Sequence, residues 1–187
     1  MKKQKCGWCL RDDLYESYHD QEWGKPVYDD QTLFEFLILE TMQAGLSWIT
    51  ILRKRQNYFD ALDQFDVKKI AAYDQERQEE LLQNDGIIRN KLKVKSIINN
   101  AQLFLEVEKE YGSFSKFIWS YVDGKPINNQ IQNYKKASPN TALSDQISKD
   151  LKKRGFKFVG PTIMYAFMQA TGMVNDHEVS CFRYAEV

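Results

Sequence analysis

The chain has 187 residues, 43% of them hydrophobic and 28% charged, with 26 basic and 26 acidic side chains that cancel. That length suits one domain, or two closely packed helical lobes, with a proper core; zero net charge leaves any polyanion binding to local patches. No apolar run approaches the ~20 residues of a membrane span, and the start, MKKQKCGWCLRDD, lacks an apolar signal core. Three cysteines make no disulfide framework, so the expectation is a cytoplasmic protein in a reducing compartment, with no membrane partner.

Residues 1 to 30 hold Cys6, Trp8, Cys9, Tyr15, Tyr18, His19 and Trp23, an aromatic-rich segment that reads as short helical turns and loop. Asp29 or Asp30 is placed to cap a helix over Leu33 to Trp48, with Gly45 near its end. That helix is apolar on nearly every side, which marks a buried element. In its midst stands Glu40, on one stripe with Leu33, Leu37 and Ala44. A carboxylate there must be paired, hydrogen-bonded, protonated or turned to a wet cleft. Both a structural network and a functional site answer that description.

A second helix follows from about Ser47 to Leu62, with Trp48, Ile51, Leu52, Arg55, Tyr58, Phe59 and Leu62 at helical spacing. Asp66 caps a short third helix, and residues 76 to 82 belong to a fourth. A long helix runs from about Asn90 to Tyr111, and Ser113 starts another. The stretch Asp123 to Asn140, rich in Gly, Pro, Asn and Gln, is a connector. No series of alternating strands appears, and the fold class expected is all-α.

In the last third, Leu143, Ile147 and Leu151 form a helix stripe that closes in Lys152, Lys153 and Arg154, with Gly155 as a left-handed cap. GFKFVGPT then makes a short hairpin, and Pro161 opens the next helix. Helix, glycine-bounded hairpin, helix offers backbone N–H groups and a helix N-terminus to a phosphate, and Lys157 lies beside it. An ordinary helical hairpin with a solvated charge run has the same shape.

The chain's two histidines, His19 and His177, go with Cys6 and Cys181 as a possible tetrahedral metal set. His177 and Cys181 are four apart, on one face if that turn is helical. Cys9 rivals Cys6 as a ligand, and buried free cysteines with scattered histidines remain the plain alternative.

Taken together, CGW, YHDQEWG, LILETMQAGLSWITILRKR, DGIIRNKLKVKSIINNA and KKRGFKFVGPTIMYAFMQATGMVNDH resemble the DNA-3-methyladenine glycosylase I family, in order and from Cys6 to Cys181. The resemblance implies a helix-hairpin-helix glycosylase fold, a single domain over 1–187, and a monomer that excises 3-methyladenine from alkylated double-stranded DNA. It implies a structural zinc on Cys6, His19, His177 and Cys181 that clips the N- and C-terminal segments, with Cys9 a spectator. Glu40 falls on the family's base-recognition carboxylate, and Trp8, Tyr15, Tyr18 and Trp48 on its aromatic pocket. Gly155, Lys157, Val159, Gly160 and Thr162 fall on the DNA-phosphate hairpin.

One departure matters. The wider helix-hairpin-helix superfamily carries a catalytic Asp in a Val-Asp-x-His-like run, and here that run is Val174-Asn175-Asp176-His177. Asn175 holds the Asp position, and Asp176, one residue along, is expected to point elsewhere. No lysine takes the place of a Schiff-base nucleophile, so the expectation is a monofunctional hydrolase. A non-catalytic, zinc-stabilised helix-hairpin-helix DNA-binding module is the alternative.

Overall fold

The computed structural model describes residues 3–187. It is mostly helical, and its helices begin where side chains satisfy the free N–H groups of a first turn. Asp12 caps α1 (Asp13–Gln21). Asp29 caps α2 (Asp30–Gln43), accepting from Thr32 N at 2.9 Å. The adjacent Asp30 reaches across the fold to accept from the N–H groups of Phe114 and Ser115. It thereby joins α2 to the start of α7 (Phe114–Trp119). Ser47 precedes α3 (Trp48–Ala61). Asp66, Asp74 and Asn90 cap α4 (Val67–Ala71), α5 (Gln75–Gln83) and α6 (Lys91–Tyr111). Thr141 and Ser144 form a reciprocal capping box at α8 (Ala142–Arg154), and Pro161 is the first residue of α9 (Pro161–Ala170).

The centre of the packing is α2, which touches α3, α6, α7 and α9. Leu33, Phe34, Leu37, Ile38, Leu39 and Met42 are all fully enclosed, so its all-round apolar sequence reflects burial on every side. Arg55 of α3 ties the N-terminal elements together, donating to Glu35 of α2 at 2.6 Å and to Glu22 beyond α1 at 2.5 Å. At its far end, α2 stops in Ala44 and a left-handed Gly45. The ammonium of Lys93, buried in α6, donates to the Met42 and Ala44 carbonyls at 2.7 and 2.8 Å and fixes that terminus.

The connector is more ordered than its composition suggests. Within it, β1 (Ile127–Asn128) pairs in parallel with β2 (Val174–Asn175), Ile127 opposite Val174. Two-residue strands carry no alternating pattern, so the sequence gives no sign of them. Near the C-terminal side, Gly172 (φ +69°) lies so close to Lys25 and Pro26 that a Cβ would stand 2.4 Å from the Lys25 carbonyl carbon. Glycine is required there for both reasons.

Candidate active site and metal centre

A cavity of about 230 Å³ lies between α1, the ends of α2 and α3, the connector and α9. Trp8, Tyr15, Tyr18, Glu40 and Trp48 all line it, so five residues scattered over forty positions of sequence meet on one surface. Trp23, Gln43, Tyr134, Gln169 and Asp176 complete the polar and aromatic wall. The aromatic rings brace one another at their edges. Trp8 stands nearly perpendicular to Tyr15 with centroids 5.5 Å apart, and Tyr18 lies 5.6 Å from Trp48. The Tyr15 hydroxyl accepts from Ile49 N at 3.0 Å, satisfying a free N–H of the first turn of α3 and locking the phenol ring.

Larger clefts exist elsewhere, such as one of about 440 Å³ beside Asn57 and Arg77. What singles out the first cavity is its polar atoms. Among the described residues, Tyr18 Oη, Glu40 Oε2, Gln43 Oε1 and Trp48 Nε1 are buried side-chain atoms with no hydrogen-bond partner, and all four belong to its lining. Buried polar groups are nearly always paired, and each lone one costs about 1–3 kcal/mol. Two acceptors and two groups able to donate thus belong to residues that line one cavity. Burial pushes the Glu40 carboxyl well above the usual carboxylate range, and Glu40 is only 2% exposed. Burial first, then the Glu40 charge, pushes the Tyr18 phenol up as well.

Behind the aromatic wall, Cys6, His19, His177 and Cys181 are all buried, and their donor atoms lie within 4.8 Å of one another. Cys6 Sγ is 3.6 Å from His177 Nδ1, and Cys181 Sγ is 3.4 Å from His19 Nε2 and 3.8 Å from His177 Nδ1. A tetrahedral ion with ordinary metal–sulfur and metal–nitrogen bonds requires sulfur–nitrogen edges of about 3.5 Å. Three of the four sulfur–nitrogen pairs already stand at about that distance. The outer ring nitrogens are also held, His19 Nδ1 by Asp20 at 2.8 Å and His177 Nε2 by the Trp23 carbonyl at 3.1 Å. The Cys181 thiol is pulled down, first by its hydrogen bond with Cys6 and then, against burial, by His177 and His19. This set can hold a metal ion. Cys9 is not part of it; its thiol donates to the Cys6 carbonyl. The segment from His177 to Cys181 is a turn, closed by Cys181 N donating to Glu178 O, and not the helical turn that the four-residue spacing suggests.

The hairpin between α8 and α9 is held from beneath. Asn100 of α6 accepts from Lys157 N at 2.9 Å and donates to Lys157 O at 3.0 Å; Asn99 donates to Gly155 O and Ser148 to Val159 O. Lys157 can therefore reach a phosphate with its exposed ammonium but not with its N–H. Val159 is buried, Thr162 is exposed, and a Cβ on Gly160 would meet no atom within 4 Å. Arg154 leaves the basic cluster that the sequence suggests. It pairs with Glu110 at 2.6 and 3.0 Å, so Lys152, Lys153 and Lys157 are the exposed cations.

The match to the methyladenine glycosylase family model covers residues 8–184. The chain belongs to that family. It is 50% identical over 181 residues to the DNA-3-methyladenine glycosylase 1 of Escherichia coli (strain K12), covering 97% of each chain. A crystal structure of a 3-methyladenine DNA glycosylase I superposes with a TM-score of 0.92 at 52% identity, covering 96% of this chain and 98% of that one. A Staphylococcus aureus 3-methyladenine DNA glycosylase I, solved for the structural basis of its 3-methyladenine recognition, superposes with the same TM-score at 40% identity over 95% of both chains.

Gln43 and Gln169 also line the cavity, and neither is singled out in the sequence analysis. Gln43 carries a signal in hindsight, since it sits three residues after Glu40 and so on the same helix face. Asp176 was expected to point away, yet it lines the cavity, while Asn175 donates instead to the Tyr184 carbonyl. Successive residues of an extended segment face opposite ways, so if Asn175 turns to the C-terminus then Asp176 turns to the pocket.

Proposed function

We propose that this chain is a monofunctional DNA glycosylase that excises 3-methyladenine from alkylated duplex DNA, working as one domain and one chain. The observation that carries this reading is the set of four unpartnered polar atoms in a cavity walled by aromatic rings. Methylation at N3 makes adenine cationic, and the base leaves neutral when its glycosidic bond breaks, so strong acid catalysis is not needed. What the protein supplies is a place for the extruded base and a means of telling it from adenine. The faces of Trp8, Tyr15, Tyr18 and Trp48 attract a cation by about 0.5–2 kcal/mol each. Glu40 accepts from the exocyclic amine, and the approach of a positive ring favours its charged form against the burial that disfavours it.

The backbone is gripped by the hairpin, through Gly155, Val159, Gly160 and Thr162 and the Lys157 ammonium, by contacts that carry no sequence information. A zinc ion on Cys6, His19, His177 and Cys181 would fasten the N-terminal segment, with Trp8, to the C-terminal one. With two thiolates and two imidazoles it has no open position, so its role is structural. The test is chromatography of bases released from methylated duplex DNA. The expected result is free 3-methyladenine with the strand left unbroken; strand cleavage would overturn the monofunctional reading, and binding without release would favour a DNA-binding module.

A further inference from the structure

The two histidines of the metal cluster turn different nitrogens to it. His19 faces the cluster with Nε2, 3.4 Å from Cys181 Sγ, and His177 with Nδ1, 3.6 Å from Cys6 Sγ. If the inner nitrogen of each ring is to offer its lone pair, the outer one must carry the hydrogen and needs an acceptor. His177 Nε2 has the Trp23 carbonyl at 3.1 Å, a main-chain acceptor that no side-chain substitution removes. His19 Nδ1 depends on one side chain, the Asp20 carboxylate at 2.8 Å.

Asp20 is itself held. Its Oδ2 accepts from Lys5 Nζ at 2.7 Å, and the same ammonium donates to Glu16 at 2.8 Å. One carboxylate oxygen thus serves the lysine and the other the histidine, which sets the plane of the carboxylate and with it the tilt of the imidazole. Lys5 directly precedes Cys6, and Asp20 directly follows His19. The ion pair therefore joins the chain neighbours of two of the four ligands. From outside, it links the same two segments that a metal would link from within, the residues ahead of α1 and the end of α1 itself. The Lys5 and Asp20 side chains are only 21% and 28% exposed, so water screens the pair less than it would an open surface contact.

We propose that Asp20 is a positioning residue of the metal centre and that Lys5 acts through it. Asp20 keeps the hydrogen of His19 on Nδ1 and turns the Nε2 lone pair inward. Lys5 fixes the carboxylate and brings Cys6 alongside. An outer ion pair thus arranges two of the inner donors before any metal arrives. Without the carboxylate, His19 is free to tilt or to take the other tautomer, in which Nε2 carries the hydrogen and offers a metal no lone pair.

This rests on the zinc reading, and the test separates the two. Zinc-loaded protein is equilibrated with a coloured chelator, and the zinc affinity of each variant is read from the metal transferred. Asp20→Ala should bind zinc about ten- to a hundredfold more weakly than wild type. Lys5→Met should weaken it by about fivefold at most, and Glu16→Gln should leave it unchanged. The double variant Lys5→Met, Asp20→Ala should match Asp20→Ala alone, because Lys5 acts through the carboxylate. Should Asp20→Ala not fold, Asp20→Asn, of the same size but uncharged, is compared by NMR of the ring nitrogens. The His19 Nδ1–H of zinc-loaded wild type should exchange with water about tenfold more slowly than that of Asp20→Asn. Zinc affinity in Asp20→Ala equal to that of wild type overturns the proposal, as does equal exchange of the His19 Nδ1–H in wild type and Asp20→Asn. A double variant weaker than Asp20→Ala overturns the part given to Lys5. If wild type carries zinc, only the role of Asp20 has failed; if it carries none, both readings fall.

Discussion

Glu40 has no hydrogen-bond donor for its Oε2 among the described residues, although it sits inside α2, a helix buried along most of its length. No donor offsets its burial, so ionising it costs stability, and the cost depends on pH. Its folded-state pKa is raised well above the ordinary value. The folded protein therefore holds the proton more tightly than the unfolded chain, and stability falls as pH rises from the unfolded pKa towards the folded one. Glu40→Gln has no such slope. Thermal unfolding at pH 5 and pH 8 should show wild type losing more stability over that interval than Glu40→Gln, whose Tm at pH 8 should equal or exceed that of wild type. A lower Tm for Glu40→Gln at pH 8 would mean that a stabilising partner exists. Glu40 was legible in the sequence because a charge in an apolar helix is an anomaly. Asp176 was not, because which of two neighbours turns inward depends on the pairing of two-residue strands that leave no pattern.

At the scale of elements, the helices were legible from their caps. Asp29, Asp66 and Asn90 stand where first-turn N–H groups need acceptors, and their side chains accept from them. Tertiary uses of the same residue types were not legible: Asp30 caps a helix eighty-odd positions away, and Lys93 holds the end of α2 from α6. The hairpin shows the same division. Its glycines announce the turn, but only the fold reveals that Asn100, Asn99 and Ser148 hold its inner groups. Gly160 has an ordinary φ of −64° and open space around it, so Gly160→Leu should fold with an unchanged Tm. It should weaken binding to damaged and undamaged duplex alike, since the side chain would stand where the phosphate backbone approaches. Fluorescence polarisation over a salt series checks this. Loss confined to damaged DNA would place the hairpin in the base pocket instead.

Over the whole molecule, the ends of the chain meet at the Cys6, His19, His177 and Cys181 cluster, and Trp8 joins that cluster to the pocket, its ring 5.5 Å from both His19 and Tyr15. A metal held there would brace the part of the pocket wall that Trp8 forms. Elemental analysis should find one zinc per chain, and Cys181→Ala should lose the metal and a few kcal/mol of stability. Cys9→Ala should keep the metal, and the reverse pattern would move the ligand assignment. The pairing of first and last segments came from residue types and a resemblance, because ligands more than 150 positions apart have no local spacing to betray them.

Recognition of the methylated base by Glu40 is tested by the affinity for free 3-methyladenine, followed by NMR titration of wild type and Glu40→Gln. A hydrogen bond to a charged group contributes about 1.5–3 kcal/mol, so the variant should bind roughly ten- to a hundredfold more weakly with its fold intact. Equal affinity in the two proteins would mean that Glu40 does not recognise the base.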